Sequence, residues 1–508
     1  MATTTSADLG RLAGGAALTA AGGVVTGVAG FVVTAAVAAG LGAGAAGVFG
    51  VCVAVSMIVT QVGKLGCDTA LVHFVPRIGM YGGPGELRRL LVWSLTGIGL
   101  LGIAAAVVGW AVAPIVADVF LPDAARDTAV TAVRMMVVGL PPASVAAVAL
   151  AATRGMGVLR PLVVNDQLAK PVLRLVAVLA VVALDGGVAA AVLAWSAPQW
   201  VVLPFALRSL RDRLADTPPR ADRMDDRLRR GFVRFSGLRC LSATVEIVGL
   251  HAGLLVVAAL VGTAEAGIFA VASRLVLAGY LTLQAVRLAV SPQLSQALAG
   301  ESVAPAQRLH QVSTGWVILS AWPLYLVLAI LSPWVLGLFG PDFVAGASVL
   351  TVLAVGGLVS VAAGNIQTVL LMGGRTGDYL GVAVVSVAVN LTATALLVPW
   401  VGVVGAAYAV TLATVTENAL TIGLVRRRFG LRHVGPPVLT AAAVAAGTIG
   451  VGAALARALD VSTPTLLAIM AGASVAWLAG CWGWRSALSL DRIAAMFRRG
   501  AVRGELDG

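Results

Sequence analysis

The stretch LGAGAAGVFGVCVAVSMIVTQVGKLGCDTALVHFVPR, residues 41–77, is the starting point, because its opening returns about two hundred residues later. LGAGAAGVFGV aligns without gaps on VGTAEAGIFAV at 261–271. Gly42, Ala46, Gly47, Phe49 and Val51 recur as Gly262, Ala266, Gly267, Phe269 and Val271. A second pair keeps this offset to within one residue: PIVADVFLPD at 114–123 matches PWVLGLFGPD at 333–342. Two pairs in the same order indicate a duplicated unit, and such self-similarity governs every later fold argument.

Composition sets the medium. Of 508 residues, 59% are hydrophobic and only 11% charged, which is far from a soluble globular chain and expected of an all-α polytopic membrane protein. Sixty glycines and many alanines suit helices that pack closely in lipid, where small residues replace the missing hydrophobic drive. The ten-residue alternation of a membrane barrel is absent. The net charge of +12 is scattered through short loops between apolar spans, a membrane-topology pattern rather than a nucleic-acid surface. Cys52, Cys67, Cys240 and Cys481 are isolated, with neither metal-ligand spacing nor a disulfide framework, and no metal or cofactor is expected. The first apolar stretch lacks a clear cleavage pattern and reads as a retained helix.

Apolar runs of roughly twenty residues or more predict about fourteen transmembrane helices. They lie near 12–40, 47–75, 88–116, 127–152, 161–184, 187–207, 233–261, 267–297, 311–339, 345–372, 379–399, 402–425, 436–457 and 464–485. Arginines concentrate in alternate connections, from Arg77, Arg88 and Arg89 to Arg426, Arg427, Arg428 and Arg432. Positive charge marks the cytosolic ends, so both termini are expected in the cytosol, in a cytoplasmic and bacterial membrane. The expected organisation is a six-helix lobe (1–207), a basic cytosolic linker (208–232), a second six-helix lobe (233–433), an appended hairpin (434–487) and a basic amphipathic cytosolic tail (488–508) that can lie on membrane lipids. Six helices per lobe give both halves the same orientation, related by a pseudo-twofold along the membrane normal.

These motifs carry a family likeness. LGAGAAGVFG followed by KLGCDTALVHFVPR resembles the second-helix signature of the polysaccharide and oligosaccharide flippases, the Wzx-like branch of the multidrug/oligosaccharidyl-lipid/polysaccharide exporter superfamily. In the second half, GTAEAGIFAVASRL, SPWVLGLFGPDFVAGASVLTVLAVG, LMGGRTGDY and VNLTATALLVPWVGVVGAAYA are similar to further motifs of that family in the same order. The likeness spans roughly residues 10–430 and implies fourteen helices in two lobes about a central cavity, working by alternating access on a lipid-linked saccharide, with polysaccharide polymerase or assembly proteins as partners. Two departures stand out. The acidic residue common near the middle of the seventh helix is missing from LHAGLLVVAALVG, and residues 12–46 contain none of the first-helix arginines of the related lipid II flippases.

Moving a saccharide pyrophosphate through lipid calls for charge inside the membrane, and ionisable groups within spans are functional candidates by default. In NDQLAKPVLR, Asp166, Lys170 and Arg174 recur at i, i+4 and i+8 on one helix face, with Pro171 expected to kink the helix there. Arg174 falls near the bilayer centre, so Arg174 and Lys170 are the candidate pyrophosphate ligands, against the plainer reading of a packing salt bridge, for example to Glu246. Arg274 is a further cavity candidate. Arg134 lies at similar depth within reach of the outer interface, and Lys64 and Asp68 form an i, i+4 pair. Arg234, Arg239 and Arg287 are expected to snorkel to the inner face. Glu246 and Glu417 are candidates for coupling a cation or proton. Cations outnumber acids among these groups, which favours an anionic passenger.

The leading expectation is therefore a flippase for polyprenyl-pyrophosphate-linked oligosaccharide, not an enzyme. A cation-coupled drug exporter of the same superfamily is the nearer alternative, and it would be expected to carry a carboxylate in the first helices. A membrane glycosyltransferase or polymerase is further off, since the expected outer loops are connectors and no phosphate loop or metal cluster is visible.

Overall fold

The computed structural model describes residues 6–81, 84–215, 225–298 and 303–488. The tail expected over 488–508, apart from Leu488, and the centre of the linker at 216–224 lie outside the described residues. Every regular element described is helical, and twelve helices are long and apolar enough to cross a membrane. The chain is a multi-pass, all-α membrane protein.

Two local features separate twelve from the fourteen expected. Spans 12–40 and 47–75 fall in one helical run, Ala21–Ile78, broken where Gly42 takes φ 86° and ψ 174°. The span at 161–184 is not continuous α-helix: Leu162–Ala169 is π-helical and the α-helix resumes at Lys170–Ala183.

Contacts divide the chain into two compact units, Met1–Val271 with Val398–Ala406, and Ala272–Leu397 with Ala407–Gly508. The first holds α1 (Ser6–Gly63), α2 (Cys67–Tyr81), α3 (Pro84–Phe120), α4 (Arg126–Val137), α5 (Leu140–Gly155), α6 (Lys170–Ala183), α7 (Gly187–Ser196), α8 (Pro198–Leu214), α9 (Asp226–Leu260) and the start of α10 (Thr263–Leu298). The pattern of α3 explains its placement. Leu90, Leu91, Ser94, Ile98, Ala113 and Ala117, spaced by helical turns, are buried, while Leu100, Ile103, Val107 and Ile115 are exposed. An apolar residue turned outward is at rest in lipid, so helix packing is decided by small residues and van der Waals fit.

The two copies of the repeat meet within this unit. A Cβ on Gly47 would overlap the Thr263 carbonyl and sit 3.1 Å from the Gly267 nitrogen. A Cβ on Gly267 would overlap the Ala43 carbonyl and sit 2.9 Å from the Gly47 nitrogen. Gly42 and Gly262, five residues earlier in each copy, both have positive φ, at 86° and 145°. Each glycine thereby turns the chain into the next helix. Asp123, from the second repeated motif, caps the α10 end: its carboxylate accepts from the Thr263 backbone N–H at 2.9 Å and from the Thr263 hydroxyl at 3.0 Å. A two-pronged pair, with Arg126 donating to Asp118 at 2.9 and 3.0 Å, bridges the ends of α3 and α4 on either side of the turn that carries Asp123.

The second unit continues with α11 (Ala304–Ile330), α12 (Ser332–Gly337), α13 (Ala347–Ala363), α14 (Ile366–Met372), α15 (Thr376–Val401), α16 (Val403–Phe429), α17 (Pro436–Ala445), α18 (Val451–Ala458) and α19 (Thr463–Gly483), with the α15–α16 turn in the first unit. Helix α11 anchors the last helices. Gln311 donates to the carbonyls of Arg432 and Val434 at 2.9 and 3.2 Å, His310 Nε2 lies 2.9 Å from His433 Nδ1, and the Trp316 indole donates to Leu488 O at 2.9 Å. Because lipid offers no hydrogen bonds, side chains that satisfy loop carbonyls fix the chain where helices end.

Candidate functional site

A polar cavity of ≈ 210 Å3 lies in the first unit, lined by α1, α5, α6, α7, α8 and α9. Several neighbouring segments depart from continuous α-helix close to it. Between α1 and α2 the chain turns through Leu65 and Gly66 at φ 48° and 70°. Between α4 and α5 it turns at Val138 and Gly139, ahead of Pro141 and Pro142. The Leu162–Ala169 segment is π-helical, and α7 passes to α8 at Ala197 before Pro198. Irregular backbone at membrane depth persists where it lines a polar cavity or is buried in protein, and π-helical turns recur at functional sites.

The break at Leu65 and Gly66 has a local cause. Gly66 presses its backbone on α9, where a Cβ would collide with Ser236 and Cys240, and the Ser236 hydroxyl donates to Leu65 O. The break gives Lys64 the C-terminal end of one helix and Asp68 the first turn of the next, the ends that suit their charges. They pair at 2.9 Å, with Lys64 in the cavity lining. In the π segment, Asp166 pairs with Lys170 one turn on.

Arg174 is held differently. Its Nε donates to Trp195 O at 2.9 Å, and its guanidinium carbon lies 3.6 Å above the Trp195 ring. The two lysines of the lining are each matched by a carboxylate, whereas Arg174 has a carbonyl and an aromatic face, both neutral. The cavity therefore holds its unmatched positive charge at one guanidinium, beside a lysine whose carboxylate an incoming anion can replace. The lining also includes the neutral polar residues Ser56, Thr60, Gln61, Ser196 and Gln199, with Met57 and Ile247 among its apolar members. The Ser196 hydroxyl is committed to Met135 O at 3.0 Å.

Of the residues singled out in the sequence, Lys64, Lys170 and Arg174 share this lining, with Asp68 and Asp166 as their partners. Arg134 is elsewhere, its guanidinium 5.3 Å from the Trp110 ring. Glu246 lies on α9 beside Arg239, 3.7 Å away, and more than half of its side chain is exposed. Arg274 lies in the second unit, as does Glu417, which accepts from Gln367 and Ser386. Arg287 donates to Gln367 Oε1 at 2.9 Å, so one amide joins a half-buried cation to a carboxylate. Trp195, Gln61 and Gln199 were not singled out by charge. Pro198 within an apolar span was the available signal, since a proline there marks a break that neighbours must satisfy.

A family model described as polysaccharide biosynthesis protein matches residues 12–298, more than half of the chain. No curated protein matches. Among solved structures, the chain is similar to the lipid II flippase MurJ in an inward closed conformation, with TM-score 0.71 and 11% identity over 92% of this chain and 98% of that one. It is also similar to an inward-facing multidrug resistance MATE family transporter of the MOP superfamily, with TM-score 0.66 and 16% identity over 80% and 94%. A MOP superfamily transporter from Pyrococcus furiosus, described as having a binding pocket of reverse polarity, aligns with TM-score 0.55 and 15% identity over 82% and 94%. At these identities the likeness speaks for the fold.

Proposed function

Because the chain belongs to the polysaccharide biosynthesis protein family and has the fold of MOP-superfamily transporters, we propose that it flips a polyprenyl-pyrophosphate-linked oligosaccharide from the inner to the outer leaflet of the cytoplasmic membrane. The observation that carries this reading is Arg174: a half-buried cation in a polar cavity, matched by no carboxylate among the described residues. Burying such a charge is costly unless a counter-ion arrives. A pyrophosphate supplies one, taken by the planar guanidinium fork and by Lys170 as it exchanges Asp166 for phosphate oxygen. Alternating access then carries the head across while the isoprenoid tail stays in lipid, and both termini remain cytosolic. The saccharide delivered to the outer leaflet is substrate for polysaccharide polymerase or assembly proteins.

Export of organic cations is the competing reading for this fold. A cationic drug entering this cavity would meet Arg174 with no free carboxylate to offset it, which disfavours that reading.

The test is translocation of a fluorescent polyprenyl-pyrophosphate oligosaccharide in proteoliposomes, comparing the parent protein with Arg174→Ala at matched reconstitution. The expected outcome is transport by the parent, reduced at least tenfold in the variant. Equal transport by a folded Arg174→Ala protein removes the pyrophosphate site from α6, and export of organic cations in place of the lipid overturns the flippase reading.

A further inference from the structure

The cavity lining divides by chemistry. Its charged members, Lys64, Lys170 and Arg174, are engaged by protein partners, whereas the side chains of Ser56, Thr60, Gln61 and Gln199 accept or donate no hydrogen bond to any described residue. The contrast with other glutamines is direct. Gln311 holds two loop carbonyls, Gln367 joins Arg287 to Glu417, and Gln307 accepts from Arg432 N–H at 2.8 Å. Gln199 is 8% exposed and Ser56 7%, so polar groups deep in the protein are left open toward one cavity. A desolvated amide or hydroxyl without a partner is unfavourable, and water or a ligand must satisfy it.

We infer that this neutral wall recognises the first sugar attached to the pyrophosphate, and that this sugar is uncharged. The inference rests on the flippase reading above. Two glutamine amides, a serine and a threonine present both donors and acceptors, as ring hydroxyls or an acetamido group require. Met57 and Ile247 add apolar surface for the C–H face of a ring. An amino sugar would bring a second cation to a cavity whose carboxylates are already paired. A uronic acid would bring an anion that competes with the pyrophosphate for Arg174 and Lys170.

The volume limits how much glycan is read. A cavity of ≈ 210 Å3 is small beside an oligosaccharide head, so it can enclose only the part nearest the pyrophosphate. Sugars further out lie beyond this cavity and add little. A site built to hydrogen-bond a substrate hydroxyl also discriminates strongly against ligands lacking it, because its own polar groups are then stranded.

The test measures binding of a lipid series to the full-length protein in nanodiscs: polyprenyl pyrophosphate bare, with one N-acetylhexosamine, with one uronic acid, and with four sugars. The expected affinity gain is about tenfold or more for the first neutral sugar, less than twofold for the next three together, and none for the uronic acid. The gain, taken as the ratio of one-sugar to bare-lipid affinity, falls toward one in Gln199→Leu and in Gln61→Leu, which lie on different helices. In Arg174→Ala both affinities fall and the ratio is kept. An affinity that climbs with every added sugar, or a ratio unchanged in both glutamine variants, overturns the inference while leaving the flippase standing. Failure of the parent protein to bind any of the four lipids removes the flippase reading and this inference with it. The parent series alone decides the matter if a variant does not fold.

Discussion

Gly47 and Gly267 hold the same position in the two copies of the repeat, and each is the other's reason for being glycine. The Cβ that Gly47 lacks would overlap the carbonyl of Thr263, and the one Gly267 lacks would overlap that of Ala43, which is Thr263's counterpart in the repeat. Both obstacles are backbone, which cannot rotate away. Gly47→Ala and Gly267→Ala are each expected to cost about 3 kcal/mol or more, at or above the upper end for overpacking. Gly97→Ala, with open space on α3, should instead be neutral or gain up to ~1 kcal/mol from helix propensity. Thermal unfolding in detergent separates the two outcomes.

The cap on α10 is a second, independent contact of the same region. Asp123→Ala strands the Thr263 N–H and hydroxyl that its carboxylate now accepts. Loss of about 1–2 kcal/mol is expected, as for other carboxylate caps. Hydrogen exchange should place the loss in the first turn of α10, with α11 unaffected.

Trp195 is predicted to matter through Arg174. Trp195→Leu removes the face that steadies the guanidinium and keeps the Trp195 backbone carbonyl that accepts from Nε. A desolvated contact of this kind is worth ~2 kcal/mol, so affinity for bare polyprenyl pyrophosphate should weaken by roughly tenfold or more. Trp195→Phe should retain part of it. Equal affinity in Trp195→Leu would show that Arg174 needs no platform.

Gln367 links two charges that do not touch. Gln367→Leu leaves both the Arg287 guanidinium and the Glu417 carboxylate short of a partner, and a loss of about 2–4 kcal/mol is expected. A double-mutant cycle with Arg287→Met should return a coupling of at least ~1 kcal/mol. A coupling near zero would mean that water serves Arg287 as well as the amide does.

Much of this was legible in the sequence, for reasons tied to particular residues. The repeat offset is written in Gly42, Gly47 and Phe49, and the pairing of Asp166 with Lys170 and of Lys64 with Asp68 follows from helical spacing alone. What spacing cannot reveal is a partner remote in the chain. Trp195 comes to Arg174 from another helix, and Gln367 reaches Arg287 across 80 positions. The break at 64–66 was hidden because KLGCD contains no proline, and its cause is the backbone of α9 pressing on Gly66. At Leu162–Ala169 the sequence does carry a mark, Pro171, but a proline announces a break in the helix without saying that the turn ahead of it is π-helical. Neutral polar residues such as Gln61 and Gln199 carry no charge to mark them against the apolar spans they sit in, and only the fold brings them to one cavity.

The reciprocal glycine crossing also sets a clock. Gly47 and Gly267 lie 220 positions apart, so at roughly 5–20 residues per second a ribosome leaves the first waiting about 10–45 s for the second. Until then the backbone at 43–47 lacks the stretch that the folded protein packs against it. Slow synthesis between the halves lengthens this exposure, and prompt arrival of residue 267 ends it.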